Sequence, residues 1–384
     1  MSDAGHPPNS SPDPPVELRV EPDAVPPAPP AAPKRPRPGL GEAILWCVLF
    51  RVTLFVGAVL GVAFILGVHA LRSEKPGDFL RDQFSGLGKA AATPAPPEGR
   101  PPIPAEIGQS LAWGMLAAQV ASLALILVVL PQRVGPDWKR QLGFRRPWWF
   151  HVLLVVLLLP GFMLLVDGIQ EILLRITTIR MPVTPGVLNQ VFVPWPRWLT
   201  VLTVGVGPGM VEELWCRGFL GRGLCARYGL TAGVILTSVL FGLLHVDPMY
   251  AIVTGCMGAY LHFVYLASRS IWVPILLHAL NNGLAMLAIL SGLVIQMNPT
   301  VNELARVIYL TSFSLVLFAS VALWTSRTQV LSAGVREVTW QPEYPGVSHP
   351  PPGSDAQLGR MPPSPVAVVL TFASFAVLVY LLSK

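Results

Sequence analysis

The chain has 384 residues, 52% hydrophobic and only 12% charged, with a mean hydropathy of +0.56. Soluble domains carry about 25% charged residues, so this deficit and the long apolar runs exclude a soluble globular protein and point to an all-α, polytopic transmembrane helical bundle. The net charge of +6 argues not for nucleic acid but for Lys and Arg in cytoplasmic loops.

In chain order, residues 1–40 are rich in Pro, Ala and Asp and read as a disordered, partly polyproline tail. No secretory signal is expected, because the first long apolar run begins near Gly41, just after Lys34, Arg35 and Arg37. Two transmembrane helices with a Pro/Gly-rich loop between them are expected over 41–135, the spans at 43–70 and 107–130. Arg51, within the first, is placed to snorkel to an interface. The next loop is short and basic, with Arg133, Lys139, Arg140, Arg145 and Arg146, and Trp148 and Trp149 suit the interface beyond it. A third span covers 152–174, with a kink at Pro160-Gly161. Asp167 and Glu171, four apart near its end, read as a solvated helix end rather than a substrate-facing pair. The proline-containing stretch 177–198 is placed at the interface.

Spans at 198–220, 231–244, 249–266 and 271–294 complete a core over 140–295. A further helix is expected over 303–325, then a Pro-rich linker over 326–365. The apolar run 366–382 is near the lower length limit for a span, so the total is eight or nine. With the basic loop inside, the N-terminus, Arg222, Arg227, Arg269, Arg327 and Arg336 fall inside as well. The loop 296–303, without Lys or Arg, falls outside. The exception is the first outside loop, which carries Arg72, Lys75, Arg81, Lys89 and Arg100. That topology suits a multi-pass protein of the plasma (inner) membrane with a cytoplasmic N-terminus. Cys47, Cys216, Cys225 and Cys256 show no C-x-x-C spacing and read as small buried apolar residues, not disulfides or a zinc site.

The stretch 211–282 carries the chemistry. Glu212, Glu213 and Arg217 lie in one apolar segment, His245 ends the next, and His278 and Asn282 lie in another. A charged side chain near the bilayer centre costs about 2.5–3.5 kcal/mol even on a lenient scale, so these groups are expected to face one another around a polar cavity. Neighbouring helical residues point about 100° apart, so the two glutamates cannot do the same job. Glu213 and Arg217, four apart, suit a buried orienting pair. Glu212 is left to face the cavity. A carboxylate in a low-dielectric site can take a proton from water near neutrality, and His245 is placed to hold the same water. His278 and Asn282, four apart on one face, suit donors to an oxygen that gains charge in acyl transfer.

Duller readings stand beside these. The Glu–Arg pair locks helices, a membrane His bonds between helices, and Asn282 bonds across them. His262 and Asn281 read as structural, and Phe241 as packing beside His245. Glu212 with two His also forms a ligand set of the His₂Glu type. Direct water activation is the favoured reading, because a zinc-bound Glu212 would no longer be free as a base. The cofactor is thus unknown, with zinc as the candidate.

The pattern E-E-x-x-x-R (Glu212, Glu213, Arg217), F-x-x-x-H (Phe241, His245) and H-x-x-x-N (His278, Asn282) resembles the CPBP family of intramembrane proteases. That family groups type 2 CAAX prenyl proteases with bacteriocin-processing, Abi-like enzymes. LGFRRP, RGFL, LTSVLFGLLH and SIWVPILLHALNN resemble it too. Trp215-Cys216 stand where the family often has an aromatic residue beside the Arg. The resemblance implies a glutamate-dependent endopeptidase in which Glu212 and His245 activate water while His278 and Asn282 stabilise the oxyanion. Its partners would be the bilayer and a membrane-embedded or lipidated peptide or protein. A non-catalytic scaffold or self-immunity protein on the same fold, and a proton or ion pathway, are the alternatives.

Overall fold

The computed structural model describes residues 37–92, 103–179, 191–193, 195–245, 247–292, 303–331 and 357–383. Most of the expected N-terminal tail, much of the linker and residues 296–302 lie outside them. The described residues form an all-α bundle, apart from one small two-stranded ribbon.

Seven helices among the described residues are long and apolar enough to cross a membrane. They are α1 (Leu40–Arg72), α3 (Ala105–Arg133), α5 (Trp149–Ile176), α8 (Pro248–Ser268), α9 (Trp272–Leu290), α10 (Glu303–Thr325) and α11 (Pro365–Leu382). The chain is therefore an integral, multi-pass membrane protein. Large apolar side chains point outward, Leu45 at 71% and Phe64 at 70% exposure on α1, as expected where the solvent is hydrocarbon. The last apolar run forms α11, started by Ser364, whose hydroxyl accepts from Ala367 N at 3.4 Å.

Four elements differ from expectation. The loop before residue 104 contains α2 (Pro76–Ala92). Pro76 opens it, Asp78 lies in its first turn and Lys89 in its last, so its ends match the helix dipole despite its glycines. The Glu-bearing segment is one helix, α6, continuous from 197 to 228, but widened to π geometry at Val201–Val206 and Leu214–Gly221. The first widening precedes Pro208, whose ring nitrogen cannot donate to the preceding turn. Gly229, at φ +85°, ends α6 and starts α7 (Leu230–Leu243), which has only 14 residues. At about 1.5 Å per residue α7 is ~21 Å long, shorter than the ~30 Å hydrocarbon core, so it does not cross alone. Finally, β1 (Thr328–Leu331) pairs antiparallel with β2 (Gln357–Arg360), so the linker begins and ends as a ribbon.

Helix pairs close through small residues. A Cβ on Gly61 would sit 2.8 Å from Gly114 Cα, so α1 and α3 touch backbone to backbone. The same device joins α6 to α9. A Cβ on Gly209 would lie 2.9 Å from Ala279 N, and one on Gly205 3.1 Å from Gly283 Cα. Two small residues spaced by four on each helix thus face each other. Lipid supplies no hydrophobic drive for helix association, so this close packing is what brings α6 against α9.

Basic residues collect at one end of the bundle. Arg133 pairs with Glu42 at 2.7 Å, and Arg222 donates to Gln141. Leu40 N donates to the Tyr228 hydroxyl at 3.1 Å, Ser270 Oγ to Arg145 O at 2.9 Å, and Arg269 Nε to Thr328 O at 2.7 Å. The start of α1, the short helix α4 (Trp138–Gln141), the loop before α5, the end of α6, the α8–α9 turn and β1 therefore share one face.

Candidate active site

Glu213 and Arg217 are fully buried and form an ion pair on α6, Nη1 to Oε1 at 2.7 Å. The other terminal nitrogen of Arg217 donates to Gly258 O on α8 at 2.8 Å, and the guanidinium lies over the Phe241 ring, 4.5 Å from its centroid. One arginine therefore ties α6 to α7 and α8. A charge buried this deeply persists only when it is paired and hydrogen-bonded.

The same Glu213 oxygen accepts from His278 Nδ1 at 2.8 Å. This contact follows from the close approach of α6 and α9: Gly209 is one turn before Glu213, and Ala279 follows His278. A carboxylate only accepts, so Nδ1 of His278 carries a proton. Its Nε2 faces the other glutamate, 4.0 Å from Glu212 Oε2. Glu212 is 16% exposed against 0% for Glu213, and its Oε2 has no hydrogen-bond partner among the described residues.

His245 lies just past α7. Its Nδ1 is 3.0 Å from Phe241 O, and Thr254 Oγ1 on α8 is 3.3 Å from the same nitrogen. A backbone carbonyl only accepts, so Nδ1 is the protonated nitrogen and Nε2 keeps a lone pair. Asp247 caps α8 through Tyr250 N at 3.0 Å, which fixes the turn that carries His245. Phe241 separates the two histidines, edge-on to His245 at 5.2 Å and to His278 at 5.9 Å between ring centroids.

Asn282 is partly exposed on α9. Its Oδ1 accepts from Asn281 Nδ2 at 3.1 Å, which leaves its own amide nitrogen as the end able to donate. Asn281 also contacts Met257 Sδ at 3.7 Å. His262 is buried, with Nε2 3.8 Å from Cys225 Sγ. Trp215 stacks on Phe50 of α1 at 5.0 Å, so the aromatic residue two before Arg217 anchors α6 to α1. Among the described residues, no three His, Cys, Asp or Glu side chains group as an ion site.

Sequence reasoning missed Thr254 and the carbonyl of Gly258, which carry no signal of their own. It missed the Glu213–His278 bond as well. The four-residue spacings of Gly205–Gly209 and Ala279–Gly283 were the legible sign that these two helices touch.

With this geometry in view, residues 194–284 match the family described as "Type II CAAX prenyl endopeptidase Rce1-like". The match covers about a quarter of the chain and supports its resemblance to CPBP intramembrane proteases there. The matched part runs from the start of α6 past Asn282 and holds Glu212, Glu213, Arg217, His245, His278 and Asn282. A relative is "Putative membrane peptidase YdiL" of Bacillus subtilis strain 168, 28% identical over 101 residues. That match covers 26% of this chain and 38% of the relative, so it spans well under half of either protein. No solved structure matches the chain.

Proposed function

We propose that the chain is an intramembrane endopeptidase that hydrolyses a peptide bond of a membrane-associated or lipidated substrate, with Glu212 as general base. The observation that carries this reading is the division between the two glutamates. Glu213 is fully buried and holds both Arg217 and His278 through one oxygen, whereas Glu212 is part-exposed and comes no closer than 4.0 Å to His278 Nε2.

A water between Glu212 and His245 Nε2 gives its proton to the carboxylate and attacks the scissile carbonyl carbon. The carbonyl oxygen becomes an oxyanion in the tetrahedral intermediate, held by Asn282 and His278. The C–N bond then breaks, and the proton on Glu212 passes to the leaving amine. To donate from Nε2, His278 must be an imidazolium, with Glu213 on Nδ1 and Glu212 4.0 Å from Nε2 as balancing charges.

If so, Asn282→Ala lowers turnover by roughly 10²–10³, the usual loss for one such donor, with little change in apparent substrate affinity. His278→Ala does likewise. The double variant loses less than the product of the two, because both donors act on one oxygen. Kinetics of the three variants, with metal analysis of the purified proteins, check this. Stoichiometric zinc that disappears with His278→Ala but survives Asn282→Ala would make His278 a ligand and refute its oxyanion role.

The matched family's name makes a prenylated C-terminus one substrate to try; an export signal or another membrane protein fits the site equally. The basic end of the bundle is cytoplasmic in this reading. With the exposed Cys256 replaced, Asn298→Cys should then react with a membrane-impermeant thiol reagent added outside. Labelling from the cytoplasmic side only reverses the topology.

A further inference from the structure

At the basic end, the β1–β2 ribbon and the loop before α5 enclose a recess of about 380 Å³. Arg145, Arg146, Trp148, Ser268, Thr328 and Arg360 line it, and none of its lining residues is acidic. Arg146 and Arg360 are exposed at its mouth. The Arg360 guanidinium lies 5.4 Å from the centroid of the Trp148 ring, which holds that cation over the opening. Arg269, in the left-handed region at φ +50°, bonds Thr328 O at 2.7 Å and so pins one wall. Among the described residues, Glu42 pairs with Arg133 at 2.7 Å and Asp137 with Arg140 at 3.4 Å. Burial, with Arg269 close by, pushes Arg145 down to about 10, so it remains a cation at neutral pH and adds to a field of one sign.

The level of the recess names the ligand's source. It opens beside the first turn of α5, where Trp148 stands and Trp149 is 68% exposed, the depth at which tryptophans meet lipid headgroups. Planar guanidinium groups bind phosphate oxygens in pairs, and basic pockets at the cytoplasmic ends of helices take anionic headgroups. We propose that this recess binds the phosphate headgroup of an anionic phospholipid of the adjoining leaflet.

The test uses the full chain in nanodiscs of phosphatidylglycerol and phosphatidylcholine, with lipid retention read by native mass spectrometry after transfer to detergent. The wild type should retain phosphatidylglycerol over phosphatidylcholine, and Arg146→Gln with Arg360→Gln should lower that retention by roughly tenfold. Each single variant, altering one exposed side chain, should lose part of it. Inorganic phosphate at millimolar concentration should leave the lipid in place. Retention unchanged in the single and double variants overturns the proposal. Displacement of the lipid by inorganic phosphate alone overturns the lipid assignment and makes the recess a soluble-anion site.

Discussion

Glu212→Gln is expected to abolish cleavage while the chain inserts and folds normally. Gln keeps the size and the acceptor oxygen of Glu212 but cannot take a proton from water. General-base catalysis contributes roughly 10²–10⁴-fold, and the loss is larger if the same group also protonates the leaving amine. The fold should not notice, because Glu212 makes no ion pair comparable to the one at Glu213 and is 16% exposed. Cleavage profiling in membranes of wild type and Glu212→Gln, beside their thermal stability in detergent, gives the answer. Equal cleavage by the two proteins refutes Glu212 as the base, and no cleavage by either sinks the peptidase reading and leaves a scaffold or an ion pathway.

Arg217→Ala should act the other way, with a loss of folded protein. It removes the ion pair to Glu213, the bond to Gly258 O and the contact with Phe241. Glu213 is then a buried carboxylate without its cation, and breaking a buried pair from one side costs about 3–5 kcal/mol. Folded yield and unfolding temperature in detergent measure it. The double change Glu213→Gln with Arg217→Met should recover much of the stability, because no unpaired charge remains. If Arg217→Ala is as stable as wild type, the pair is not what binds α6 to α7 and α8.

The spans were largely legible because hydropathy alone marks them, and the fold class followed. The candidate residues stood out because Glu, Arg and His in apolar segments are costly. Their partners were less visible. The i,i+4 spacing puts Glu213 beside Arg217, but no periodicity within one helix says that Glu213 meets His278 on another. That contact depends on the backbone approach at Gly209 and Ala279, visible in sequence only as small residues four apart. Helix α2 and the ribbon were hidden by glycine and proline content, which signals a loop whether or not local dipole matching or strand pairing then orders it. The shortness of α7 was legible from its boundaries, and its 14 residues already fall short of the bilayer core at about 1.5 Å each.

The sharing of one Glu213 oxygen by Arg217 and His278 also bears on descent. On the proposed mechanism, selection on Glu213 and Arg217 is twofold, since losing either leaves a buried charge unpaired and also loosens the hold on His278. Glu212 carries no such second duty. In a lineage that gave up hydrolysis and kept the fold, Glu213 and Arg217 would persist and Glu212 would drift first. On the proposed mechanism, the identity at the position of Glu212 would then separate working hydrolases from inherited scaffolds more sharply than the rest of the motif.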